Sequence, residues 1–199
     1  FLIVSLLFCF ISYSQITVDL SSPYDSPTYL IDNVLLGGGI TASNHNYQGD
    51  SIQIGYFDAT NTSLGINTGI VMATGEVSVL DPLFISTFPF LPNTVTDPDL
   101  LAVANSVPGL IGQSFSVTSI NDVAILEFDF VPVTDHMTFD FIFAAEEYGT
   151  FQCSFTDAFA FLLTDTAGVT TNLAIVPGTT DPISVLTVRD DEYLSLIHI

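Results

Sequence analysis

The amino-acid sequence predicts an all-β chain: a two-layer antiparallel β-sandwich with one or two short peripheral helices. Three observations lead there. Most of the chain reads as short alternating stretches broken about every ten residues by Gly, Asn, Asp or Pro. Bulky apolar side chains, mostly phenylalanines, fall at alternate positions in residues 124–131 (AILEFDFV), 137–144 (MTFDFIFA) and 157–164 (DAFAFLLT), which is the period of a half-buried strand. Only two stretches carry helix start and stop signals, and both are short.

The first helix is expected in SPTYLIDNVLLGGG. Ser26 suits the N-cap and Pro27 the first helical position; Leu30, Val34 and Leu35 share a face, and Gly37 to Gly39 stop it. The second is expected in DPDLLAVANSVPG, capped by Asp97, started by Pro98, favoured by Asp99 at the positive end of the helix dipole and ended by Pro108 and Gly109.

Strands are expected over residues 51–57, with Ile52, Ile54 and Tyr56 alternating, and over 68–74 (TGIVMAT) between glycines. Residues 124–131 and 137–144 read as a hairpin across the turn-rich PVTDH. Keeping Leu126, Phe128 and Phe130 on the same side as Met137, Phe139, Phe141 and Phe143 pairs Phe130 with Met137. That register sets Glu127 opposite Asp140, a like-charge pair that needs hydration or a cation. In 157–164 Phe159, Phe161 and Leu163 point to the core, while Ala158 and Ala160 leave room for a close neighbour. Residues 172–176 and 183–188 supply further strands around PGTTDP.

Composition narrows the function. Twenty-two acidic residues stand against one basic residue, Arg189, for a formal charge of −21. Such a surface excludes nucleic acid and anionic membranes as partners and suits divalent cations, cationic ligands or plain solvation. The apolar share, 48%, is ample for a core, so the chain is not disordered.

Residues 1–14 read as the apolar region of a secretory signal peptide whose start is cut short, so the chain is expected outside the cell, secreted or at its surface. Residues 15–193 form one domain's worth of chain, cut short at its C-terminus. Residues 194–199 (LSLIHI) match the translation of an adapter end used in DNA library preparation and are set aside. Cys9 leaves with the signal peptide. Cys153 is then a buried free thiol or pairs with a cysteine in the missing C-terminal part.

The candidate site is the stretch from Glu146 to Asp157, which begins within FIFAAEEYGTFQC. Glu146, Glu147 and Asp157 lie within twelve residues and, with loop carbonyls, make an oxygen-rich set for calcium. The alternative is that one glutamate caps backbone N–H groups while the other is solvated. Tyr148 and Phe151 pin the loop in either case. Adjacent glutamates on an extended segment point to opposite faces, so they do not form the facing pair of a glycosidase; one of them could do so only with Asp157 or Asp140. No catalytic residue is assigned. His45 and His136 are isolated, there is no Walker loop or G-x-S-x-G elbow, and Asp165 to Gly168 (DTAG) only superficially matches an aspartic protease signature.

The blocks VLLGGGITASN, NTGIVMATGE, DPDLLA, AILEFDFVP, FIFAAEEYGTFQCSFTDAFAFLL and NLAIVPGTTDPISV, in this order over residues 29–188, resemble the choice-of-anchor L family, exported surface proteins mostly of Bacteroidota. The resemblance implies export, often by the type IX route, and attachment through a sorting or anchoring module after the domain. It also implies a disulfide partner for Cys153 beyond the last residue. Ala145, Gly149 and Thr150 depart from the family's usual Ser and Pro. DAFAFLL resembles the aspartate-bearing strand of lectin-like jelly rolls. The expected role is therefore binding, adhesion or display, with an extracellular glycan or a cell-surface protein as partner and calcium as the one cofactor considered. A polysaccharide hydrolase and a structural spacer are the alternatives.

Overall fold

The computed structural model describes residues 16–79, 95–145 and 157–188. Residues 1–14, expected to be a signal peptide, Glu146, Glu147, Tyr148, Phe151, Cys153 and residues 194–199 lie outside them. Among the described residues seven strands run in chain order: β1 (Thr17–Asp19), β2 (Ile40–Gln48), β3 (Ile54–Asp58), β4 (Thr68–Met72), β5 (Ile125–Pro132), β6 (Leu162–Thr164) and β7 (Thr170–Asn172). The two described α-helices are short, α1 (Pro27–Leu30) and α2 (Pro98–Leu110). Every strand pairing is antiparallel: β1-β3-β4 form one sheet, β2-β5 a second and β6-β7 a third. The predicted all-β antiparallel class holds. Its strands group into three small sheets, and neither facing sheets nor a jelly-roll order is displayed by the described residues.

Both helices start where the sequence says. The Ser26 hydroxyl accepts the Tyr29 amide at 3.3 Å with Pro27 in the first turn, and the Asp97 carboxylate accepts the Leu100 amide at 2.6 Å ahead of Pro98. They end differently. After Leu30 the chain widens into a π turn, Ile31–Leu35, which stops at Leu36, before the glycines. The widening turns Ile31 inward beside Leu30, both fully buried, and leaves Val34 and Leu35 half-buried. Helix α2 runs through Pro108 to Leu110. Proline here removes one hydrogen bond in the final turn, and the Pro108 carbonyl still accepts the Gln113 amide at 2.8 Å.

The predicted hairpin of residues 124–131 with 137–144 is corrected. The partner of β5 is β2, with Phe130 opposite Ala42 and Glu127 opposite Asn46. Electrostatics favours this choice: the hairpin would have set Glu127 against Asp140, whereas β2 offers amides. Strand β2 (ITASNHNYQ) was hidden in the sequence because its alternation changes phase. Asn44 adopts φ 53°, a left-handed conformation that Asn tolerates, and the register shifts by one between Ser43 and Asn46. Ile40 and Ala42 face inward before this bulge and His45 and Tyr47 after it, so the polar face stays polar throughout. The ladder extends past Ile40, where the Val133 amide donates to the Gly39 carbonyl at 3.0 Å. Gly39, at φ 96°, has no room for a Cβ, which would meet Val133 at 2.9 Å.

The expected strand over 51–57 begins as a 3₁₀ turn, Ser51–Gln53, before β3. Asp50 and Gln53 form a reciprocal capping box there. In 157–164 only Leu162–Thr164 is ladder; Ala158 bridges to Ser184, so a second backbone does approach at that small residue. The core beneath these segments is Ala174, Val176, Ile183 and Val188, with Phe141, Phe143, Phe159 and Phe161 packed against it. Phe139 and Met137, expected inside, are 37% and 36% exposed.

Candidate functional site

Two surface features remain once the core is assigned. The first is the outer face of the β2-β5 ladder. Alternation places Thr41, Ser43, Asn46 and Gln48 of β2 and Glu127, Asp129 and Val131 of β5 on the exposed side, with Asn44 added by the bulge. Asn44 Nδ2 donates to Asp129 Oδ2 at 2.6 Å and Asn46 Nδ2 to Glu127 Oε2 at 2.7 Å; Gln48 Nε2 reaches the same Glu127 oxygen at 3.4 Å. Each carboxylate is held in place by amides and keeps an acceptor oxygen or lone pair toward solvent, while each amide keeps its carbonyl acceptor.

Beneath the same ladder, His45 Nε2 lies 2.9 Å from Asp32 Oδ1, tying β2 to the π turn. The histidine expected to be isolated thus has a partner. Tyr47 donates its hydroxyl to the Asp50 carbonyl at 2.7 Å, and burial, aided by the Asp50 charge, pushes its phenol well above the usual tyrosine value.

The second feature is an open groove of about 510 Å³ between Leu64 and Ile66 on one side and Phe139, Asp140, Phe141 and Ile142 on the other. Most side chains of its described lining are apolar, and among the described residues one carboxylate, Asp140, lines it. The ring centroids of Phe139 and Phe141 are 6.0 Å apart. Phe161 stacks on Phe139 at 4.1 Å, and Phe159 tilts against Phe141 at 5.3 Å.

The predicted calcium set is only partly in view. Asp157 is half-buried at the start of the segment leading to the core, and its backbone carbonyl accepts the Val185 amide at 3.1 Å. Glu146 and Glu147 lie outside the described residues, as does Cys153. Among the described residues no three His, Cys, Asp or Glu side chains converge as metal ligands. The DTAG stretch is a hairpin turn: Asp165 Oδ1 accepts the amides of Ala167 and Val169 at 2.8 and 2.9 Å, between β6 and β7.

Sequence reasoning missed the amide row and Gln53. The row lacks the apolar alternation by which strands are found. Gln53 carried a readable signal, the Asp50-x-x-Gln53 capping box spacing.

Comparison with known families supplies the deciding observation: the family model for the choice-of-anchor L domain matches residues 17–196. The chain belongs to the choice-of-anchor L family. Nothing among curated proteins or solved structures matches it. A choice-of-anchor L domain covering nearly the whole chain points to a surface-associated, exported module. Among the described residues no helix is long and apolar enough to cross a membrane.

Proposed function

We propose that this choice-of-anchor L domain is a binding and display module of a larger surface protein, recognising extracellular glycan through the outer face of β2-β5. The fixed amide-carboxylate row carries this reading. Asn44 with Asp129, and Asn46 with Glu127, present donors and acceptors whose geometry is set before a ligand arrives, which reduces the ordering cost of binding vicinal hydroxyls. A calcium ion held by Glu146, Glu147 and Asp157 would tie together the two ends of the segment that separates the aromatic stretches in sequence.

An extracellular polysaccharide hydrolase is one alternative, and it would need a second carboxylate facing Asp140 across the groove. A purely structural spacer is the remaining alternative.

The test is retention of the isolated module on a glycan array, with and without chelator. Retention that Asn46→Ala and Glu127→Ala abolish supports the face as the site, and its loss in chelator supports calcium. No retention on any glycan would sink the proposal in favour of a spacer.

A further inference from the structure

We propose that the groove between residues 64–66 and 139–142 is a docking site for an extended, cationic segment of a partner protein, bound by strand addition. The proposal goes beyond the glycan reading, which uses a different face, and neither depends on the other.

Residues 137–145 carry the side-chain order of a strand. Phe139 and Phe141 lie in one row, and their rings meet Phe161 and Phe159 in antiparallel order. Yet among the described residues this stretch belongs to no ladder and its backbone makes no hydrogen bond. An apolar, extended stretch with open N–H and C=O groups is a template for another strand. The groove beside it is bounded by Leu64 and Ile66 and has room for the side chains of an added segment. Phe139, 37% exposed, is the largest apolar surface such a segment would cover.

Charge selects the occupant. Among the described residues Asp140 is the acidic side chain of the groove lining, and the chain as a whole carries a formal charge of −21 with a single basic residue. A second copy of this chain brings the same charge and is repelled; an acidic segment is repelled likewise. The complementary sequence alternates apolar residues, packed toward the phenylalanines, with Lys or Arg facing Asp140.

A blocked, fluorescein-labelled peptide alternating valine and lysine tests this on the full chain. Expected are saturable anisotropy, slowed hydrogen exchange at residues 139–142, and about a tenfold affinity loss in Asp140→Asn. Asp25→Asn, outside the groove, removes the same charge and should leave affinity within about twofold. The counterpart alternating valine and glutamate should not bind. Equal losses in Asp140→Asn and Asp25→Asn would reduce the effect to general charge attraction and overturn the proposal. So would unchanged exchange at 139–142 with peptide bound, or protection of those amides by a neutral oligosaccharide or by self-association while the peptide fails.

Discussion

Asn46 stands directly opposite Glu127 in the β2-β5 ladder and donates its side-chain amide to Glu127 Oε2 at 2.7 Å. One strand away in sequence terms, this is the carboxylate that a hairpin with residues 137–144 would have placed against Asp140. The chain instead meets its acidic strand with an amide strand. That solution removes like-charge repulsion without using any of the basic residues the protein scarcely has.

Converting that amide to a carboxylate restores the repulsion. Asn46→Asp should destabilise the fold by about 0.5–1 kcal/mol at low ionic strength, and added salt should recover most of the loss because both groups are exposed. Denaturant midpoints at low and high salt measure it. A loss that salt leaves untouched would argue against a charge origin.

Gln53 is fully buried and joins three segments. Its Nε2 donates to the carbonyls of Ala73, Thr74 and Asp122 at 3.3, 3.1 and 2.7 Å, and its Oε1 accepts the Asp50 amide at 2.7 Å. Gln53→Leu keeps the volume but strands these carbonyls, and should cost about 3 kcal/mol. Gln53→Glu should be worse at neutral pH, since a carboxylate cannot donate, with the gap narrowing as acid protonates it. Chemical denaturation of both variants across pH is the measurement.

Tyr47 gives an alkaline signature. Its phenol is raised above the ordinary value of 10.0, first by burial and then by Asp50. The stability linked to the neutral phenol is complete below pH 10 and is lost as the pH rises above it toward the higher folded value. Wild type should therefore weaken above pH 10 more steeply than Tyr47→Phe, and spectroscopic titration of the variant should lack one phenol that ionises above pH 10. Gly49 packs under this ring at φ 153°, and a Cβ there would meet the Tyr47 hydroxyl at 2.6 Å, so Gly49→Ala should lower the melting temperature and disturb the same titration.

Acid acts on the β1-β3-β4 sheet through two turns. Asp58 is held below the usual 3.8 by hydrogen bonds from the Thr60 side chain and amide, and Asp19 below it by those from Ser21. Depressed folded values mean stability that is present above the unfolded value and lost as the pH falls below about 3.8. Asp58→Asn should flatten the acid limb of the stability curve. An unchanged limb in the Asp19→Asn, Asp58→Asn double variant would show that these turns do not contribute.

Local rules were readable in the sequence where one residue type controls one local geometry. Ser26, Pro27, Asp97 and Pro98 start both helices as expected, because capping depends on neighbours within three positions. Phe141, Phe143, Phe159 and Phe161 pack against the core, because alternate residues of an extended stretch share one side even where no ladder forms. Which strands pair was not readable: β5 has an apolar side that fits several partners equally well, and the partner chosen is polar and bulged. The candidate face was missed for the same reason, since its amides acquire meaning only opposite Glu127 and Asp129.

By itself the sequence determined the antiparallel all-β class, the two helix starts, the acidic character and the family. Tertiary structure alone decided that β2 rather than residues 137–144 lies against β5, that Gln53 ties three segments together, and that an apolar groove stays open beside Asp140. The division has one physical cause. Propensity, capping and alternation act over a few residues, whereas pairing is settled by which distant groups can satisfy one another's charge and hydrogen-bonding needs in three dimensions.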